Sequence, residues 1–126
     1  MNFFITGSEG FIGSHLVEYL LNQNHKVKSM VMYNSFNSLG WLEKFKKNDH
    51  RNLTIFLGDI RDNGSYENYL CEGDIVINLA SLIAIPYSYS ASSSYVDNNI
   101  VGINNLLNLS RKKKVKKFIH LSLIHI

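Results

Sequence analysis

Hydrophobic positions along this chain change their period several times. Residues 2–6, Asn-Phe-Phe-Ile-Thr, make a short apolar run that predicts a strand. From Phe11 to Asn22 the spacing turns helical, with Ile12, Leu16 and Leu20 on one stripe and Val17 and Leu21 beside it. Asn24 follows, a residue able to take the left-handed conformation that ends helices. Apolar runs at 26–32, 53–57, 74–79 and 118–121 predict four further strands. The fourth strand, read from "IVINLA", is nearly continuous, as expected when both faces are covered. Between the strands, the pattern predicts a loop and short helix at 39–46 and another short helix at 65–70. A long amphipathic helix is predicted at 95–110, carrying Val96, Ile100, Ile103, Leu106, Leu107 and Leu109. Strand alternating with helix predicts an α/β fold: a Rossmann-like, doubly wound parallel sheet, truncated after about five strands, in the order 3-2-1-4-5.

The first strand–helix junction packs Gly7, Gly10 and Gly13 into seven positions. In that setting the first glycine permits a tight turn, the second lets phosphates approach the backbone, and the third lets helix and sheet pack closely. The helix's opening N–H groups and its dipole then face an anion. The arrangement predicts a cradle for a dinucleotide pyrophosphate, and the bland alternative is one turn glycine with two packing glycines. An acidic residue for the adenosine ribose is expected at the end of the second strand. None is there, nor an arginine for a 2′-phosphate. Tyr33, Asn34, Ser35 and Asn37 offer only neutral polar groups, which leaves NAD or NADP undecided. After the third strand, Asp59 can accept from an adenine amino group while Ile60 lies against the ring. An ordinary turn cap accounts for Asp59 equally well.

Composition narrows the class. The chain has 126 residues, enough for one domain, and 45% are hydrophobic. No apolar run approaches the roughly 20 residues of a membrane span. The start lacks a basic segment and a cleavage site, so secretion is not expected. Cys71 is the one cysteine, which fits a reducing cytoplasm. The five histidines lack metal-ligand spacing, so no metal is assigned. Most of the net charge of +3 comes from Arg111-Lys112-Lys113-Lys114-Val115-Lys116-Lys117. Lying between a helix and a strand, that run reads as a solvated face and not as a nucleic-acid contact.

Taken together, "ITGSEGFIGSHLVEYLL", "GDIRD", "INLAS" and "YVDNNIVGINNLLNLSRKKKVKKFIHLS" resemble the extended short-chain dehydrogenases/reductases, the NAD-dependent epimerase/dehydratase family. The resemblance runs over residues 2–122. It implies a cofactor site that includes Phe11 and Ile12 at the helix start, Asp59 and Ile60 at the adenine, and Leu79, Ala80 and Ser81 along the cofactor. Asn99 takes the place of the family's helix asparagine. Within the family, "MYNSFNSLGWL" and "ASLIAIPYSY" resemble 4,6-dehydratases acting on nucleotide-linked N-acetylglucosamine, of legionaminic acid type. That likeness implies hydride removal from sugar C4, loss of water across C5–C6 and hydride return to C6. Ser81, Leu82, Ile83 and the Pro86-Tyr87 turn would border nicotinamide and sugar, with a packed loop as the bland alternative.

The resemblance also implies groups that this sequence lacks. The family's tyrosine–lysine pair and the acid pair for water elimination would lie beyond "HLS", where Leu123, Ile124 and His125 stand instead. No tyrosine here has a lysine four residues later. Residues 1–120 are therefore expected to be an incomplete NAD(P)-binding domain without catalytic residues or a substrate domain, inactive alone. Residues 121–126, "LSLIHI", are expected to be a non-native, adaptor-derived tail. The parent is expected to act on a nucleotide-sugar and to form a homodimer. Two alternatives stand beside the dehydratase: a 4-epimerase or decarboxylase of the same family, and a non-catalytic NAD(P)-sensing regulator.

Overall fold

The computed structural model describes residues 1–8, 10–31, 51–79 and 97–121, with the side chains of 97–99 excepted. Tyr33, Asn34, Ser35, Ala80 and Ser81 lie outside the described residues, as do the expected helix at 39–46, the 80–89 stretch and residues 122–126. The described chain runs β1 (Asn2–Thr6), α1 (Phe11–Asn22), β2 (Lys26–Val31), β3 (Leu53–Leu57), β4 (Ile75–Asn78), α2 (Ile103–Lys113) and β5 (Lys117–His120).

All four pairings are parallel, and the strand order is β3-β2-β1-β4-β5, as the alternating pattern predicts. The winding reverses between β1 and β4, which places a topological switch point above Thr6 and Asn78. β4 is buried along its whole length, matching its continuous apolar run. One face of the sheet packs Phe3, Ile5, Val27, Val31, Ile75 and Ile77 against Val17, Leu20 and Leu21 of α1. The other packs Phe4, Met30, Phe56 and Val76 against Leu106 and Leu109 of α2, with Ile60, Tyr66 and Leu70 filling the remainder. Burying each such side chain is worth roughly 1.5–3 kcal/mol. Both helices thus act through their apolar stripes.

Several expectations need correction. The helix expected at 65–70 is two single 3-10 turns, Asn63–Ser65 and Glu67–Tyr69. They are separated by Tyr66, whose φ of −134° leaves the helical region. Its fully buried ring fills the core beneath the turn, so packing overrides the local pattern. The helix expected at 95–110 has a π-helical stretch at Asp97–Gly102 and continues as α2 to Lys113. Lys114 ends it in the left-handed conformation (φ 58°), and Val115 N–H closes back on Ser110 O at 3.2 Å. Ile100 and Leu107, counted on its apolar stripe, are exposed. Asn24 is left-handed as expected (φ 65°). β4 begins one residue late because Asp74 turns its carboxylate onto Lys28 Nζ and the Cys71 amide.

Candidate functional site

The β1–α1 turn is built from the backbone outward. Gly7 takes φ 70°, a left-handed value that side chains resist, and its carbonyl accepts from Gly10 N–H at 3.2 Å. Ser8, fully buried, ties the turn back to Ile5 O at 2.9 Å. A Cβ on Gly13 would lie 2.4 Å from Gly7 O and 2.8 Å from Ser8 Cα, so helix and turn touch there with no room for alanine. Gly10 differs. Its φ of −76° and ψ of 174° suit any residue, and a Cβ there would meet only Gly7 O, at an ordinary 3.5 Å. Nothing among the described residues requires a glycine at that position.

Gly10 is also the N-cap of α1, where no side chain supplies a cap hydrogen bond and the first turn holds no acidic residue. The opening amides of a helix lack intrahelical partners and carry its positive dipole end. Phe11 and Ile12, 61% and 52% exposed, flank this surface. Ile12 therefore leaves the core stripe on which its spacing places it. The carboxyl end of β1 thus combines bare backbone, uncapped helix start and open surroundings. That donor set fits a diphosphate, and the missing Cβ at Gly10 is the cradle that such a group fills.

Asp59 and Ile60 follow β3 beside the end of β2, where Gly58 N–H donates to Val31 O at 3.0 Å. The Asp59 carboxylate takes Arg61 Nε at 3.0 Å, Arg61 Nη2 at 2.6 Å and the Arg61 amide at 3.0 Å. The Arg61 hydrogen bonds hold its carboxyl below the ordinary range, against the opposing effect of partial burial. Asp59 is thus both a turn cap and a half-exposed acceptor.

Two residues that the sequence pattern did not single out brace this loop. Ser65 Oγ accepts from Asp59 N–H at 2.9 Å, and the Tyr66 hydroxyl lies 2.9 Å from Asn63 Oδ1 and 3.2 Å from Ile60 O. Burial, then the charges of Asp62 and Asp59, push Tyr66 up to about 12. Asn105 of α2 donates to Arg61 O at 3.2 Å, fixing the loop from the other side.

Leu79 donates its amide to Thr6 O across the switch point at 3.1 Å, so its backbone borders the crevice. Asn99 falls in the π-helical stretch, an irregularity found often at functional sites. The structure therefore brings Gly7, Gly10, Phe11, Ile12, Gly13, Asp59, Ile60 and Leu79 to the carboxyl edge of one sheet, but the Ile60 side chain, expected against the adenine ring, turns into the core instead. Among the described residues there is no group of three metal-ligating side chains, and no helix is long and apolar enough to cross a membrane. Cys71 is exposed and unpaired with another cysteine. In the basic run, Arg111, Lys112, Lys114, Lys116 and Lys117 are exposed, as a solvated face requires.

The fold and this edge define a Rossmann-like domain of the extended short-chain dehydrogenase/reductase, NAD-dependent epimerase/dehydratase class. More narrowly, the chain belongs to the family described as GDP-mannose 4,6 dehydratase, whose model matches residues 4–123. It is similar to a dTDP-D-glucose 4,6-dehydratase of Dictyostelium discoideum, with 35% identity over 94% of this chain and 28% of that protein. Among solved structures it is similar to a double mutant of DesIV, a dTDP-glucose 4,6-dehydratase of Streptomyces venezuelae with NAD bound. There the TM-score is 0.85 at 26% identity, covering 97% of this chain and 39% of that one. A UDP-glucose 4-epimerase of Thermotoga maritima, solved with UDP-glucose, gives 0.77 at 30% identity, covering 95% and 37%. The chain thus spans about a third of the length of these relatives.

Proposed function

We propose that this chain is the nicotinamide-dinucleotide-binding part of a nucleotide-sugar 4,6-dehydratase, one acting on a nucleotide-linked N-acetylglucosamine. The observation that carries the reading is Gly10, which no described neighbour obliges to be glycine, set at an uncapped helix start. A diphosphate received there has the opening amides of α1 and the positive end of its dipole. Asp59 receives the adenine beyond it, with Ile60 offering its backbone alone and Arg61, Ser65 and Tyr66 holding the loop in place. Tyr33, Asn34 and Ser35 take the ribose side, Leu79, Ala80 and Ser81 the path toward nicotinamide, and Asn99 the start of the long helix. When bound, the dinucleotide supplies a hydride acceptor that later returns the hydride. Residues 1–120 bind and orient it, and the proton-handling groups belong to the rest of a longer cytoplasmic protein that pairs as a homodimer.

The family match and the two dehydratase relatives support the 4,6-dehydratase reading. The Thermotoga relative supports 4-epimerisation as the second reading, because it is similar over nearly the same span. Incubation of the longer protein carrying this chain with UDP-N-acetylglucosamine and NAD or NADP separates them. A 4-keto-6-deoxy product is expected, whereas a 4-epimer in its place establishes the second reading. Absence of binding to either dinucleotide contradicts both.

A further inference from the structure

Thr6, Asn78 and His120 are register partners on neighbouring strands, and their side chains form one hydrogen-bonded row across the carboxyl ends of β1, β4 and β5. The direction of this row can be read from one fixed end. Leu79 N–H donates to Thr6 Oγ1 at 3.1 Å. A backbone N–H only donates, so the hydroxyl accepts there, and its own proton goes to Asn78 Oδ1. Asn78 therefore turns Oδ1 toward Thr6 and Nδ2 toward His120 Nδ1, at 3.1 Å. An amide nitrogen also only donates. Nδ1 of the neutral ring must then be bare, and the proton sits on Nε2.

Asn78 is fully buried, whereas His120 is exposed, and Nε2 has no partner among the described residues. A dinucleotide laid across a switch point rests one half over each side of the sheet. With the adenosine half on the β2–β3 side, near Asp59, the nicotinamide half falls over β4 and β5. We infer that the Thr6–Asn78 row locks His120 in the Nε2–H tautomer and makes it a positioning residue, donating to a ribose hydroxyl of the nicotinamide half. The ligand part of this inference rests on the function proposed above.

Long-range ¹H–¹⁵N correlation spectra of the labelled chain, recorded with the imidazole neutral, read the tautomer without any ligand. The expected pattern is Nε2–H alone, with Asn78→Asp moving the proton to Nδ1 because a carboxylate accepts where the amide donated. A wild-type Nδ1–H pattern overturns the inference, as does an unchanged pattern in a folded Asn78→Asp variant. Substitutions at exposed His120 should leave the fold intact and test the ligand half by calorimetric titration with NAD⁺. Losing one hydrogen bond in His120→Leu is expected to weaken binding about three- to tenfold, with His120→Gln, which keeps a side-chain donor, falling between. Equal affinities for all three proteins overturn the positioning role while leaving the dinucleotide reading intact. No NAD⁺ binding by the wild type overturns that reading and the ligand half together, while the tautomer result stands apart.

Discussion

The two rims of the sheet use polar groups in opposite ways. At the amino rim they turn toward one another: Asp74, 1% exposed, takes Lys28 Nζ at 2.5 Å and Cys71 N–H at 2.9 Å on Oδ2, leaving its buried Oδ1 without a partner among the described residues, while Lys28 also reaches Tyr69 O at 2.6 Å. The Tyr69 ring stacks on Phe56, further along the same face, with centroids 3.8 Å apart. At the carboxyl rim the helix start is uncapped, Phe11 and Ile12 are exposed, and Gly10 has space it does not use. Asp59 shows the same contrast within one residue type. Its pair with Arg61 resembles that of Asp74 with Lys28, yet its side chain is 32% exposed and within reach of a ligand. Partners drawn from within the protein mark the rim that holds the fold, and open donors mark the rim proposed to bind.

Substitutions can break this contrast. The largest effect is expected for Gly13→Ala, whose Cβ collides with backbone that cannot swing aside. Overpacking of this kind should cost about 3 kcal/mol or more, read as a lowered denaturant midpoint. Asp74→Ala should cost about 2–3 kcal/mol by stranding Lys28 and the Cys71 amide, yet leave dinucleotide affinity of the folded protein unchanged. Gly10→Ala should behave in the reverse sense. Its denaturant midpoint should stay near wild type, while calorimetric affinity for the dinucleotide falls by about tenfold or more, about 1.4 kcal/mol. A Gly10→Ala variant that unfolds but binds normally when folded would erase the distinction between the rims.

Smaller effects concern the loop at 58–66. Asp59 has a lowered carboxyl, so its pairing contributes stability above the unfolded value of about 3.9 and loses it only as pH falls through the lowered one. Acid titration followed by the Arg61 side-chain resonances should therefore show the pair persisting below the pH at which exposed aspartates protonate. Tyr66 works in the other direction. Its raised value means stability present below about 10 and lost as pH climbs toward about 12. Ultraviolet titration should show one tyrosine still protonated after the exposed ones have ionised, and Tyr66→Phe should remove that late step.

Much of this was legible locally. The bounds of β1, α1 and β3 follow from apolar period alone, and the glycine turn from its spacing. The parallel order follows from the alternation of elements. What escaped depends on distant partners. Tyr66 breaks its helix because its ring is needed in the core, and the π-helical stretch before α2 has no periodic signature. The Thr6–Asn78–His120 row joins residues 72 and 42 positions apart through sheet register. One signal for it was present: Asn78 stands in an otherwise apolar strand, and a buried amide there demands partners. Gly10 and Gly13 look alike in the sequence. Only the space around them separates the glycine proposed to bind from the one that packs.

The central claim is that the bare turn between β1 and α1 receives the two phosphates of a nicotinamide dinucleotide. Titration of NAD⁺ or NADP⁺ into the ¹⁵N-labelled chain, followed amide by amide, tests it most directly. The account predicts the largest shifts at Gly7, Gly10, Phe11, Ile12 and Gly13, with Asp59 and Ile60 moving in the same titration and Lys28 and Asp74 still. Shifts confined to the amino rim, or none at any concentration of either dinucleotide, would contradict it.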